Sequence, residues 1–314
     1  KWRAISTPLK GNTNNSIFAN WQNNGIEEEG TGVSLWSPGG SGVAGNGFSL
    51  NSANGSSANI RGYGNGAFTI PTSTKSSLLF DNGGPVPYLV FVTDQYTNAN
   101  NTSKMYNGAT ATTLKATGNL ITGTYTINSL GAGFRMIANP YASPVDFATI
   151  GKTNINNQFW VWDPKLSGGS GYGGYVYTSN SGGGYVSAPL GGSYTSNSTI
   201  IQPGSAFWVK VNDGFVGSLT FNETDKKTTG TFNIYGRVNG GMNEILRVNL
   251  TSVTEEVLDG IAAAYHQNSS VNLESSDAVK FSIGNENISI RRFSKDLAIE
   301  FRPLIETRDT VFIR

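Results

Sequence analysis

Apolar residues in this chain either alternate with polar ones or gather in brief runs bounded by Gly, Asn and Pro. Tyr88-Leu-Val-Phe-Val92, Phe207-Trp-Val-Lys-Val211 and Asn243-Glu-Ile-Leu-Arg-Val-Asn-Leu250 follow the period of two that strands require, since successive strand side chains point to opposite faces. Windows that suit a helix are scarce, and the best are short: residues 16–21, where Ile17, Phe18 and Trp21 share a face, and residues 145–150 after Pro144. The alanine run 262–264 fits a helix or a strand; Gly260 just before it and the shortness of the segment favour a strand. The pattern predicts an all-β chain with few short helices.

The order of the strands carries an internal repeat. Trp2-Arg-Ala-Ile-Ser-Thr-Pro8 returns as Phe134-Arg-Met-Ile-Ala-Asn-Pro140, and Trp36-Ser-Pro38 as Trp162-Asp-Pro164. Tyr88-Leu-Val-Phe-Val-Thr-Asp94 returns as Phe207-Trp-Val-Lys-Val-Asn-Asp213, and Thr122-Gly-Thr-Tyr-Thr-Ile127 as Thr229-Gly-Thr-Phe-Asn-Ile234. The repeat predicts two tandem β-sandwich-like modules, 1–130 and 131–236, and then a different β-rich module, 237–314. Comparing the copies assigns faces. Tyr88, Val90 and Val92 match Phe207, Val209 and Val211 as a core face, and Val33 and Leu35 match Phe159 and Val161. Leu89 and Phe91 match Trp208 and Lys210, a face for solvent or for a neighbouring module. Trp160 matches Ser34, so the shared fold demands this aromatic least. Arg3 and Arg135, each early in its module, are expected to make equivalent contacts, with Asp94 and Asp213 as partners.

Composition narrows the chemistry. The 314 residues include 40 Gly, which suits many strands joined by tight turns. A net charge of +1 gives no reason to expect nucleic acid or an acidic membrane as partner. No apolar run approaches the roughly 18 residues of a spanning helix. With no Cys and one His, thiolate chemistry is excluded and most histidine chemistry is disfavoured. Charged residues become denser after Glu223-Thr-Asp-Lys-Lys227, read as the approach to a module boundary.

Gly133-Phe-Arg-Met-Ile-Ala-Asn-Pro-Tyr-Ala-Ser-Pro-Val-Asp146, then Phe159-Trp-Val-Trp-Asp-Pro164 and Ile201-Gln-Pro-Gly-Ser-Ala-Phe-Trp-Val-Lys210, resemble a pattern in large surface proteins of Bacteroidota. Leu246-Arg-Val-Asn-Leu-Thr251, Asp277-Ala-Val-Lys280 and Asp296-Leu-Ala-Ile299 resemble the region downstream of that pattern in the same proteins. The resemblance implies a type IX secretion system substrate, an adhesin or gliding motility-associated protein. It would be secreted to the outer cell surface, with the outer-membrane export machinery as its partner in transit. No catalytic residues come with it, and the family's C-terminal sorting domain has no match in this chain. Asp309-Thr310-Val311 resembles that phylum's O-glycosylation pattern, which implies Thr310 as an acceptor.

Three function classes compete. The first is a non-catalytic structural or adhesive module. The second is carbohydrate binding, with surface glycans as partners and sugar rings stacked on Trp160, Tyr172, Tyr175, Tyr177 and Tyr185 in or near a Gly-rich stretch; ordinary sheet packing is the competing role for each. The third is a glycoside hydrolase, which needs two carboxylates about 5–9 Å apart. The second module offers chiefly Asp146, Asp163 and Asp213, and turn capping explains the first two. His266 lacks the neighbours of a catalytic base. No cofactor and no catalytic residue are expected. Calcium stays open, with oxygen ligands available in Asp94-Gln-Tyr-Thr-Asn-Ala-Asn-Asn101. Lys1-Trp2-Arg3 opens directly in a strand motif and Arg314 closes on one. The chain is therefore expected to be a piece of a longer protein, with the third module continuing and the sorting domain beyond it.

Overall fold

The computed structural model describes residues 1–25, 32–40, 45–49, 57–64, 66–92, 113–166, 173–191, 193, 198–227, 244–281, 286–306 and 308–314. It is an all-β protein. Among the described residues the only helical segments are two 3₁₀ turns, Asn23–Gly25 and Glu223–Asp225.

In the first unit, β1 (Trp2–Ile5), β2 (Ile60–Gly64), β3 (Ala67–Thr69) and β4 (Tyr88–Phe91) form an antiparallel sheet in the order β1-β4-β2-β3. The second unit is a sandwich. Its larger sheet comprises β6 (Gly133–Ala138), β8 (Ile155–Asp163), β9 (Gly174–Asn180), β10 (Tyr185–Ala188) and β11 (Ala206–Val211), in the order β6-β11-β8-β9-β10. Its smaller sheet comprises β5 (Tyr125–Leu130), β7 (Gly151–Thr153) and β12 (Gly217–Phe221), with β12 in the middle. Because β5, among the described residues, pairs only within this sandwich, the expected boundary at residue 130 falls inside the second unit. The third unit contains β13 (Glu244–Thr251), β14 (Val257–Tyr265), β15 (Ala278–Val279), β16 (Ile290–Arg292) and β17 (Lys295–Arg302). Its sheet runs β13-β14-β17-β15, β16 also pairs β17, and β14 and β17 are parallel.

The strand pairs β1–β4 and β6–β11 have one register. Arg3 faces Val90 as Arg135 faces Val209, and Ile5 faces Tyr88 as Ile137 faces Phe207. The Trp-x-Pro pair behaves otherwise. The strand beside Val209 places Phe159 opposite it, and the strand beside Val90 places Ile60 there. Ile60–Gly64, not the segment ending in Trp36, therefore takes the position of Phe159–Asp163. Val33 and Leu35 are buried as expected, yet their segment lies outside the ladder, with Val33 N–H donating to Trp21 O and Ser49 N–H to Leu35 O. The structural counterpart of Trp160 is Arg61, which lies over the Trp2 ring. The fourth motif pair cannot be compared, because Thr229–Ile234 lies outside the described residues.

Both expected helices are turns. Val145–Asp146 pairs with Ile200–Ile201, and Asp146 Oδ1 then accepts the Ala148 N–H at 3.0 Å, closing a turn. At 16–21 the Ile17 and Phe18 N–H groups donate to Ser77 and Thr74 carbonyls, and Ser16 Oγ takes the Ala19 N–H at 3.1 Å. The arginine expectation also fails. Arg3 is exposed, whereas Arg135 Nη1 donates to Phe134 O at 2.9 Å; Asp213 is exposed and Asp94 lies outside the described residues.

Alternation sorts the larger sheet of the second unit into two buried faces. Phe159, Val161, Val176, Phe207, Val209 and Val211 face the smaller sheet, with Phe221, Leu219 and Ile127 opposite. Trp160, Tyr175, Tyr177 and Trp208 face the other way and meet Ala4 and Leu89 of the first unit and Ala262, Ala264, Ala298, Ile299 and Phe301 of the third. The face shared by Leu89 and Trp208 thus meets neighbouring units. The alanines form strands β14 and β17, and their short side chains leave room for the large rings they face.

Candidate functional site

The aromatic face of the second unit is where the expected ligand residues converge. Across β8, β9 and β11, Trp160 lies opposite both Tyr177 and Trp208, and Trp162 opposite Tyr175. The rings meet edge to face: Trp162–Tyr175 and Tyr175–Trp208 at 5.0 Å, Phe134–Trp160 at 5.1 Å and Trp160–Tyr177 at 6.4 Å. Phe281 of the third unit enters the group, 4.3 Å from Phe134, 5.1 Å from Tyr175 and 5.6 Å from Trp160. The polar tips of Trp160 and Tyr177 bond to the same segment. Trp160 Nε1 donates to Val279 O at 3.4 Å, Tyr177 Oη donates to Phe281 O at 3.0 Å, and Tyr177 Oη accepts the Phe281 N–H at 2.9 Å.

This arrangement decides what the rings do. Trp160 is 0% exposed and Tyr177 1%, and burial pushes the Tyr177 phenol well above its ordinary value. Sugar stacking needs an open ring face, and these faces are covered by the third unit. Tyr185 is buried on the opposite side, in the core of the sandwich, its hydroxyl bonded to Asn157. Burial raises its pKa as well. Tyr172 lies outside the described residues. The expected stacking platform is therefore not assembled from Trp160, Tyr175, Tyr177 and Tyr185; they pack two separate cores.

The carboxylates are engaged locally. Asp163, 1% exposed, accepts the Lys165 N–H at 2.8 Å, the Ser193 N–H at 2.5 Å and the Ser193 hydroxyl at 2.9 Å. Asp146 also meets Lys227 Nζ at 3.1 Å. His266 is buried, its Nδ1 accepting the Asn268 N–H at 3.3 Å. Thr310 is exposed, on a segment held by Arg302, whose Nη1 donates to Thr310 O at 3.1 Å and whose Nε meets Asp309 Oδ2 at 2.9 Å. Among the described residues no three His, Cys, Asp or Glu side chains converge as metal ligands. The Asp94–Asn101 loop named for calcium lies outside them.

Two clefts open where the first and second units meet. One, of about 300 Å³, is lined by Ile5, Pro8, Leu9, Trp21 and Leu114 with Gly204 opposite. The other, of about 150 Å³, lies between Ala4 and the Trp162–Pro164 turn, beside Ser193 and Gln202. Its one carboxylate is that of Asp163, already bonded as described.

Sequence reasoning missed two buried charge clusters in the third unit. Lys280 Nζ lies 2.5 Å from Asp259 Oδ1. Glu300, 3% exposed, meets Arg292 at 3.1 Å and Arg302 at 3.5 Å. The available signal was position: Glu300 and Lys280 each stand within apolar strand-like runs, Ala298-Ile-Glu-Phe301 and Ala278-Val-Lys-Phe281.

Compared with known proteins, the chain matches no family model, no curated protein and no solved structure.

Proposed function

We propose that this chain is a non-catalytic extracellular module of a type IX secretion substrate, structural and adhesive in role, displayed at the outer cell surface. The observation that supports this reading best is the use of the aromatic face. A face that could bind ligand is spent on joining three β units, with Trp160, Tyr177 and Phe281 as the fastening. Such a joined scaffold suits display of the Gly-, Asn- and Ser-rich connections between strands. Thr310 is accessible for the O-glycosylation implied by its sequence setting.

Protease shaving and antibody labelling of intact source cells test the proposal. Surface labelling that disappears when type IX secretion is disrupted is the expected result; a protein reached only after lysis would refute it. Titration of the purified chain against glycans separates adhesion by protein contact from carbohydrate binding, the alternative role.

A further inference from the structure

The third unit holds a lysine and an aspartate where neither charge is easily kept. The Lys280 side chain is 2% exposed and that of Asp259 is 11% exposed. Asp259 belongs to β14 and Lys280 comes directly after β15, two strands that do not pair with each other because β17 lies between them. The Lys280 N–H donates to Asp296 O of β17 at 2.9 Å, and its side chain spans that strand to bring Nζ to 2.5 Å from Asp259 Oδ1. The Tyr177 ring centre is 4.7 Å from Nζ, which closes the pocket from the second unit.

The surroundings are more informative than the pair itself. An ammonium carries three N–H donors and a carboxylate accepts in several directions, whereas a secondary amide has one N–H and one C=O. Among the described residues, Nζ has one hydrogen-bond acceptor besides Asp259, the Gly260 carbonyl at 3.1 Å. Among the described residues the carboxylate has one donor besides Lys280, the Ile288 N–H, 2.9 Å from Oδ2. One acceptor on the nitrogen side and one donor on the oxygen side are the complement of an amide.

We infer that Lys280 and Asp259 condense to an intramolecular isopeptide bond between Nζ and Cγ. Within the ion pair one proton first passes from the ammonium to the carboxylate, leaving a neutral amine beside a neutral acid. Burial favours the loss of that proton because it penalises the ammonium. It pushes Lys280 below the ordinary lysine value despite the opposing pull of Asp259. The Nζ lone pair then adds to Cγ, and the Ile288 N–H holds Oδ2, the oxygen that remains. The Cγ–Oδ1 bond breaks and Oδ1 leaves as water, carrying the proton it received and one more from Nζ. Nζ keeps its last hydrogen, directed at Gly260 O. The two opposite charges cancel, one water is released, and no oxidant, metal or cofactor takes part. Fixed proximity supplies the high effective concentration that an amine and an acid lack in solution.

Mass spectrometry of the denatured full chain tests the inference. The expected main species is lighter than its sequence by one water, and a tryptic digest contains one looped peptide, residues 248–291, uncut at Lys280 and lighter by one water, since no Lys or Arg separates Asp259 from Lys280. Lys280→Arg keeps the positive charge but removes the amine, and Asp259→Ala removes the acid; both are expected at their full sequence masses. The wild-type measurement needs neither variant to fold and does not depend on where the protein resides. A wild-type chain at full mass, or a water lost at any other position, overturns the bond.

Discussion

Tyr63 stands in the first unit where Trp162 stands in the second. Each sits on the strand beside the matched β4 or β11 and meets an aromatic across the next strand: Tyr63 meets Phe68 edge-on at 5.2 Å, and Trp162 meets Tyr175 at 5.0 Å. The two then diverge. The indole N–H of Trp162 reaches the Trp2 carbonyl at 2.9 Å, so the second copy of the hairpin ties itself to the first strand of the other copy.

Trp162→Phe keeps a ring at this place and removes the donor. Leaving the Trp2 carbonyl without this partner is expected to lower stability by about 1 kcal/mol. Urea denaturation reads the loss, and amide exchange should accelerate in β1 more than in β13.

Trp160→Ala empties a fully buried site between the second and third units. The expected cost is about 3–5 kcal/mol, as for other buried aromatics cut to alanine. Chemical denaturation measures it. Any glycan affinity of the intact chain should be unaffected in a variant that remains folded, because the ring is covered by Phe281 and its neighbours.

Asp163→Ala removes three hydrogen bonds at once and strands the Ser193 N–H. A loss of about 2–3 kcal/mol is expected, read as a lower thermal midpoint. Asp163→Asn should recover part of it by keeping one acceptor oxygen.

The acid side of the stability profile carries the signature of Asp277. Burial raises its carboxyl from 3.8 to about 6, against two backbone N–H donors, those of Glu274 and Phe301. Between those values the folded chain binds a proton that the unfolded chain does not. This group's contribution therefore makes the protein more stable as pH falls through about 6 toward 3.8, and that gain is lost as pH rises again. Carboxyl-carbon NMR titration of Asp277 should show its midpoint near the upper value; a midpoint at the ordinary aspartate value would contradict the assignment.

Much of this architecture was legible from alternation and repetition. Arg3 and Arg135, aligned by their motifs, proved to face Val90 and Val209 in the same register. The inner faces came out of period two, because a strand buried in a sandwich must alternate. The Trp-x-Pro likeness misled for a physical reason. A sheet position is kept by which face a side chain takes, not by its identity, so Ile60-Arg-Gly-Tyr-Gly64 fills the place of Phe159-Trp-Val-Trp-Asp163 with no residue in common. Trp160 read as a ligand aromatic because period two shows only that it leaves its own core. Its cover is Phe281, distant in sequence, and no local pattern reports that contact. Asp259 and Lys280 were passed over because charged residues usually lie in water; only the assembled sheet shows them sharing one pocket.

The parallel pairing of β14 with β17 sets a timetable for synthesis. As the chain emerges from its N-terminus, the β13–β14 hairpin can close at once, since its strands are adjacent. β15 and β16 emerge next and find no partner, because both pair with β17 alone among the described strands. Until β17 arrives they wait, and so does the aromatic face that the 278–281 segment covers. Non-local pairings of this kind form late, and a chain waiting on them leaves apolar surface open to mispairing. One late strand thus ends the vulnerable interval for two units together.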